Sequence, residues 1–279
     1  MASSPTTTKG DKRTSRMLIV EMLMTKPWLA RLAVGVAALA LWEIAGHTII
    51  DRDFISPPSA ILRAMPRVLG DPSIRWALAL SFYELVVAFL IALVAGVLIG
   101  VPIGLHGFTA QSALPLILLA YSIPQVTILP LFVLWFGVDS AAKIAFGVSH
   151  GIFPVILNVI AGAQTVESAH LTAARSMGAT RMQLLRRVVL PHMTPSLFAG
   201  LRLGMSATLL GVLLAELYVS TGGIGYYTKL YSESFDPPAM FSLVVCLALM
   251  AVLLNEITRR AERRASFWRT PEGEARSQK

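Results

Sequence analysis

LVVAFLIALVAGVLIGVPIGL, residues 85–105, contains no charged side chain. A helix of about 20 such residues crosses the roughly 30 Å hydrocarbon core of a bilayer. Similar runs recur through the 279 residues, of which 55% are hydrophobic and only 14% charged. Mean hydropathy is +0.65. The chain therefore reads as all-α and polytopic, with transmembrane helices. A membrane β-barrel would need segments of about 10 residues with alternating polarity, whereas these runs are continuously apolar.

Working outward from that run, six spans are expected, at about 30–50, 79–105, 112–137, 142–163, 197–220 and 238–258. The second and third are separated only by HGFTAQ (106–111), which predicts a tight helical hairpin. Pro124 and Pro130 fall inside the third span, where each removes a backbone hydrogen bond and kinks the helix. Such breaks are tolerated where neighbouring helices or a water-lined cavity satisfy the freed groups. A packing kink and a helix bordering a translocation path are both open readings. The short apolar stretch MLIVEML (17–23) is too brief and badly placed for a cleaved signal peptide, so the first full span is expected to be an uncleaved anchor. Cys246, the only cysteine, lies in an apolar run and is read as a small core residue. One cysteine allows neither an intrachain disulfide nor a cysteine cluster for metal.

Lysine and arginine set the expected orientation. Segments 1–28, 164–196 and 259–279 hold sixteen of them, and the loops 51–77, 138–143 and 221–237 hold six. Arg31 and Arg202, at span ends, can snorkel to the nearer interface. The positive-inside rule then puts both termini and the 164–196 loop in the cytoplasm of a multi-pass inner-membrane protein. The net charge of +8 is thus explained by basic residues facing anionic lipid and calls for no nucleic acid.

One basic segment stands between two apolar runs: ESAHLTAARSMGATRMQLLRRVVLP, residues 167–191. Leu171, Ala174 and Met177 recur at i, i+3 and i+6 and make a small apolar face on a short helix. Gly178 can take the left-handed conformation that ends it. A second helix, about 180–190, intersperses Arg181, Arg186 and Arg187 with apolar residues, and Pro191 is expected to stop it. Such a segment is either a knob for a soluble partner or an amphipathic hairpin on the membrane surface.

The segment resembles the ATPase-coupling loop of permease subunits of binding-protein-dependent ABC importers. That loop follows the pattern Glu-Ala-Ala, three residues, Gly, nine residues, Ile, one residue, Leu-Pro. Ala173, Ala174, Gly178, Leu190 and Pro191 match at that spacing, Val188 replaces the Ile, and Thr172 stands where the glutamate is usual. FISPPSAIL (54–62), SIPQVTILPLFVLWFGV (122–138), FPVILN (153–158) and AELYVSTGGIG (215–225) resemble the same family, nearest to its aliphatic sulfonate, taurine and nitrate subgroup. The resemblance implies a type I ABC importer permease fold. The expected domains are an N-terminal cytoplasmic tail (1–28), a permease domain (29–258) with its coupling loop at about 165–191, and a basic tail (259–279).

It also implies partners. These are a second permease copy as a homodimer, an ABC ATPase subunit (two copies in the assembly), a substrate-binding protein, and a small anionic cargo. The chain has no G-x-x-x-x-G-K-[ST] phosphate loop, so ATP and Mg are expected on the partner ATPase, with no cofactor and no enzyme activity here.

Ionisable groups at membrane depth are expensive and so become functional candidates. Glu43, Glu84, His150 and Glu216 are the four. Glu43 is read as interfacial or packing. Glu84 is expected to reach water or pair with an arginine of the 51–77 loop. His150 is a packing histidine or a path residue, and Glu216 holds the dimer or an outer gate. Ser122, Pro124, Gln125 and Asn158, with Tyr121, complete the candidate translocation path or gate. Gly222, Gly223 and Gly225 read as an outer gate loop. A proton-driven secondary transporter using Glu84, His150 and Glu216 is the competing class. It would be expected to show related internal repeats, and none is evident. A membrane enzyme would need a catalytic cluster that the sequence does not display.

Overall fold

A computed structural model describes residues 27–48 and 55–265. Most of the tail 1–28, Phe54 and the tail beyond residue 265 lie outside the described residues. Within them all regular secondary structure is helical. α1 is Pro27–Thr48, α2 Pro58–Gly70, α3 Pro72–Gly104 and α4 Gly107–Ser122. After the 3-10 turn Gln125–Ile128 come α5 (Leu129–Phe136), α6 (Ser140–Gln164) and α7 (Ser168–Ser176). α8 runs unbroken over Arg181–Val219, followed by α9 (Ile224–Glu233) and α10 (Pro237–Ala265).

α1, α3, α6, α8 and α10 are each long and apolar enough to cross a membrane. The sixth span is a bent pair, because α4 and the Gln125–Phe136 segment meet at 74°. The third span is therefore not one kinked helix. The residue before a proline avoids the helical region, and Ile123, preceding Pro124, is extended at φ −67°, ψ 129°. Pro130 makes no kink; it sits in the first turn of α5, where a missing N–H costs nothing.

α6 is the central helix, with α3 along one side and α8 along another. In a bilayer the lipid is as apolar as the side chains, so helices adhere by close packing rather than by the hydrophobic effect. Small residues provide it here. Gly96, Gly100 and Gly104 lie one turn apart on α3, and Cβ atoms there would meet Val155, Val159 and Ala163 of α6 at 2.6–2.7 Å. On α8, Gly200, Gly204 and Gly211 press against Asn158, Val155 and His150 in the same way. Val155, Val159 and Met193 are fully buried in the resulting seam.

Two short helices were not expected from the apolar pattern. α2 and α9 lie at the end of the bundle where α3, α6 and α10 begin, and both pack on α10. Glu43 secures α2: its Oε2 accepts from the Ser59 amide at 3.0 Å, capping the helix start, while His47 Nε2 lies 3.0 Å from Oε1.

Candidate functional site

The 167–191 segment lies at the opposite end of the bundle from α2 and α9. Glu167 opens α7, which runs for nine residues. Gly178 ends it at φ +79°, with its own amide donating to the Arg175 carbonyl at 2.9 Å. The Ala179 amide donates to the Ala174 carbonyl at 3.0 Å, so the stop is a Schellman motif with glycine at its left-handed position. Thr180 then starts α8 with a capping box, its Oγ1 accepting from the Gln183 amide (3.3 Å) while Gln183 Oε1 accepts from the Thr180 amide (2.8 Å).

Pro191 does not stop the second helix. The residues before it, Leu185–Val189, form a π-helical turn, and the helix continues to Val219. A proline ring clashes with the carbonyl four residues back and offers no N–H; the wider π turn takes up that mismatch. The segment is therefore one short helix folded against the first turns of a 39-residue helix, not two short helices. His192 Nε2 donates to the Thr165 carbonyl at 3.0 Å and closes its base.

Between α7 and α8 lies a cleft of about 800 Å³. Ala173, Ala174, Met177 and Gly178 form one wall, and Gln183, Arg187, Val188 and Pro191 form the other. Met177 is 86% exposed, so it does not share the inward face of Leu171, which packs on the Val155–Val159–Met193 seam. Thr172 is exposed on α7 and Leu190 is half-buried against the same seam. Arg187 lines the cleft, and Arg175, Arg181 and Arg186 are exposed elsewhere on the segment.

At mid-bundle the broken span faces α6. Ser149 Oγ donates to the Phe146 carbonyl at 2.7 Å and lies 3.3 Å from Gln125 Oε1. Tyr121 stacks on Phe153 with ring centroids 5.5 Å apart. His150 Nδ1 donates to the Phe146 carbonyl at 3.1 Å. Asn158 Nδ2 donates to the Pro154 carbonyl at 2.8 Å, two turns further along α6. Ser122 and Pro124 are exposed at the break, and Ser122 Oγ donates to the Leu118 carbonyl at 2.8 Å. The structure thus brings together Ser122, Pro124, Gln125 and Ser149, with His150 beside them on the α8 side of α6.

Glu216 belongs elsewhere. It is fully buried at the end of α8, where its Oε2 accepts from the Gly225 amide at 2.8 Å and its Oε1 accepts from Ser81 Oγ at 2.5 Å. Ser81 Oγ in turn accepts from the Ile224 amide at 2.8 Å. The carboxylate so caps α9 and explains Gly223 and Gly225, where a Cβ would strike it. Glu84 neither reaches water nor meets an arginine. It is 0% exposed and pairs with Lys143 at 2.6 Å, while Ser140 Oγ donates to the same oxygen at 2.5 Å. Its position between spans puts Lys143 in the 138–143 loop, whereas the structure buries it. The signal that could have found it is its place one turn into α6, among apolar neighbours, with two intramembrane glutamates needing a cation.

The profile of the family "binding-protein-dependent transport system inner membrane component" matches residues 92–266. The chain belongs to that family. It is a multi-pass permease component of a transport system. The taurine transport system permease protein TauC of Escherichia coli (strain K12) is 29% identical over 85% of this chain and 89% of its own length. The aliphatic sulfonates transport permease protein SsuC of Bacillus subtilis (strain 168), a putative assignment in its own name, is 26% identical over 87% and 88%. A chain of the MetNI methionine ABC transporter, in inward facing conformations, superposes with TM-score 0.59 at 20% identity, covering 70% of this permease and 99% of that chain. The permease therefore has the type I ABC importer fold. Neither the fold nor these relatives supports a proton-driven reading: Glu84 and Glu216 are engaged by Lys143, Ser81 and the α9 amides, and His150 bonds to its own helix.

Proposed function

We propose that the permease forms the translocation path of an ATP-driven importer for a small anion of the sulfonate, taurine or nitrate type. A substrate-binding protein delivers the solute at the end bearing Glu216 and the glycine turn. A separate ABC ATPase, holding ATP and Mg, grips the 167–191 segment, with Thr172, Ala173, Ala174, Gly178, Val188, Leu190 and Pro191 shaping the contact. Two permease copies and two ATPases make the assembly, and both termini face the cytoplasm.

The observation that carries this reading is the cleft between α7 and α8. It is open, about 800 Å³ in volume, and lined mostly by apolar side chains with Arg187 among them. A rigid turn at Gly178 and a capped helix start at Thr180 give it a fixed shape. A fixed cleft contiguous with a 39-residue helix can transmit a push along that helix toward the opposite end. At mid-bundle the break beside Ser122 and Gln125 offers neutral hydrogen-bonding groups and, among the described residues, no fixed cation, which suits weak, transient contact with an anion. Sulfonate chemistry is favoured because two of the relatives are named for taurine and aliphatic sulfonates.

Copurification tests the reading. Deleting residues 167–190 should abolish recovery of the ATPase with the permease while leaving membrane insertion intact. Undiminished recovery of the ATPase with the deleted form would overturn the docking assignment.

A further inference from the structure

At the glycine-turn end the bundle contains an ion pair in a place where fold stability alone is a weak reason to keep one. The side chains of Lys143 and Glu84 are 3% and 0% exposed. Replacing a buried pair by apolar residues of similar size is often neutral or stabilising, whereas removing one partner is harmful. Here the pair also reaches a third element. Lys143 Nζ donates to the Gly222 carbonyl at 3.2 Å, across to the turn that joins α8 to α9.

That bond is the turn's tie to α6. Ser220 Oγ closes the turn on itself, accepting from the Gly222 amide at 3.0 Å and donating to the Gly222 carbonyl at 2.6 Å. The bonds from Ser81 and Glu216 hold Ile224 and Gly225, beyond the turn. Between the two fastenings lies Gly223 at φ +106°, a conformation open to glycine. The turn is therefore hinged at Gly223 and held on its near side by Lys143.

Glu84 supplies what a second position of the turn requires. Its Oε2 is buried and has no hydrogen-bond partner among the described residues. An ammonium has three donors, so when the Gly222 carbonyl leaves, the freed donor can turn to Oε2. The ion pair survives, and no charge is stranded in either position. The turn itself is a wall of a cleft of about 580 Å³, with Trp76, Leu80 and Tyr227 opposite Gly222 and Gly223. Movement of the turn reshapes that cleft.

We infer that Lys143, backed by Glu84, is a positioning residue for transport: it latches the glycine turn, and release of the latch accompanies opening of this end of the permease. The inference rests on the permease acting in an ATP-driven importer as proposed above.

The test uses the full transporter in nanodiscs and two variants. Glu84→Gln/Lys143→Met removes both members of the ion pair together, so neither is left as the unpaired half of it. Ser140→Ala removes a donor to Glu84 but leaves the Lys143–Gly222 bond. Amide hydrogen exchange at Gly222 and Gly223 should rise about tenfold in the double variant, as expected for loss of one hydrogen bond to a charged donor. It should stay at the wild-type rate in Ser140→Ala, and exchange within α9 should not change in either. In proteoliposomes the double variant should also hydrolyse more ATP per solute delivered. Purely structural damage would lower both activities together and leave that ratio unchanged. Wild-type exchange at the turn with a wild-type ratio in the double variant would overturn the latch, as would equal loosening by Ser140→Ala. A wild-type transporter that takes up no solute with ATP would overturn the importer reading instead, and the exchange comparison would still decide the latch.

Discussion

Gly178 is the position at which the coupling account can be tested with the least disturbance. Its φ is +79°, and a Cβ built there finds no atom within 4 Å. A substitution therefore meets no steric obstacle from neighbours, and its effect is that of backbone conformation alone. An ordinary L-residue in the left-handed region costs roughly 1–2 kcal/mol, so Gly178→Ala should lower the fraction of loops with the native turn by about 5- to 30-fold relative to competing conformations. Asparagine enters this region more readily, so Gly178→Asn should lose less. Proline is locked near φ −65° and would also remove the amide that donates to Arg175, so Gly178→Pro cannot form the turn. The expected order of coupling, measured as solute taken up per ATP hydrolysed in proteoliposomes, is Gly, Asn, Ala, Pro. Normal ATP-dependent uptake by Gly178→Pro would refute the reasoning.

Other positions give sharper structural readouts. Gly100→Ala places a methyl 2.7 Å from Val159 Cγ1 and 2.9 Å from its Cβ, so overpacking should destabilise the α3–α6 seam by about 1–3 kcal/mol; an unchanged thermal midpoint in detergent would show that the seam is not tightly packed there. Thr180→Ala removes the α8 cap and should cost about 1 kcal/mol locally, read as roughly fivefold faster amide exchange at residues 181–184. By contrast Arg67→Ala breaks a 2.7 Å ion pair with Asp236 whose arginine is 67% exposed, and stability should change by less than about 1 kcal/mol.

The spans were legible because each is a long, predominantly apolar run with few charges, and a bilayer of fixed thickness turns such a run into a helix. Gly178 was legible for a similar reason, since few residues serve where a short helix must end and another begin. The break before Pro124 was visible as a proline but not as a 74° bend, because the direction taken after the break goes with contacts to a distant helix, Leu129 and Phe132 against Phe146, that no local pattern gives. Pro191 misled because a helix can pass a proline when a π turn precedes it. Lys143 was hidden by the orientation count, which treats a cation between spans as loop. Its partner Glu84 is 59 positions away in sequence, and only folding brings the two within 2.6 Å. The glycines of α3, one turn apart, did carry a readable small-residue pattern for close helix contact; their spacing predicts the α3–α6 seam once it is looked for. α2 and α9 were missed because they are too short and too polar to register against the apolar spans.

Uptake by reconstituted transporter tests the central claim most directly. The permease, its ATPase and its binding protein should be placed in proteoliposomes and offered radiolabelled taurine and alkanesulfonates, with ATP on the side of the 167–191 segment. Uptake should require both ATP and the binding protein and be unaffected by collapsing the proton gradient. Uptake driven by a proton gradient without ATP would contradict the account.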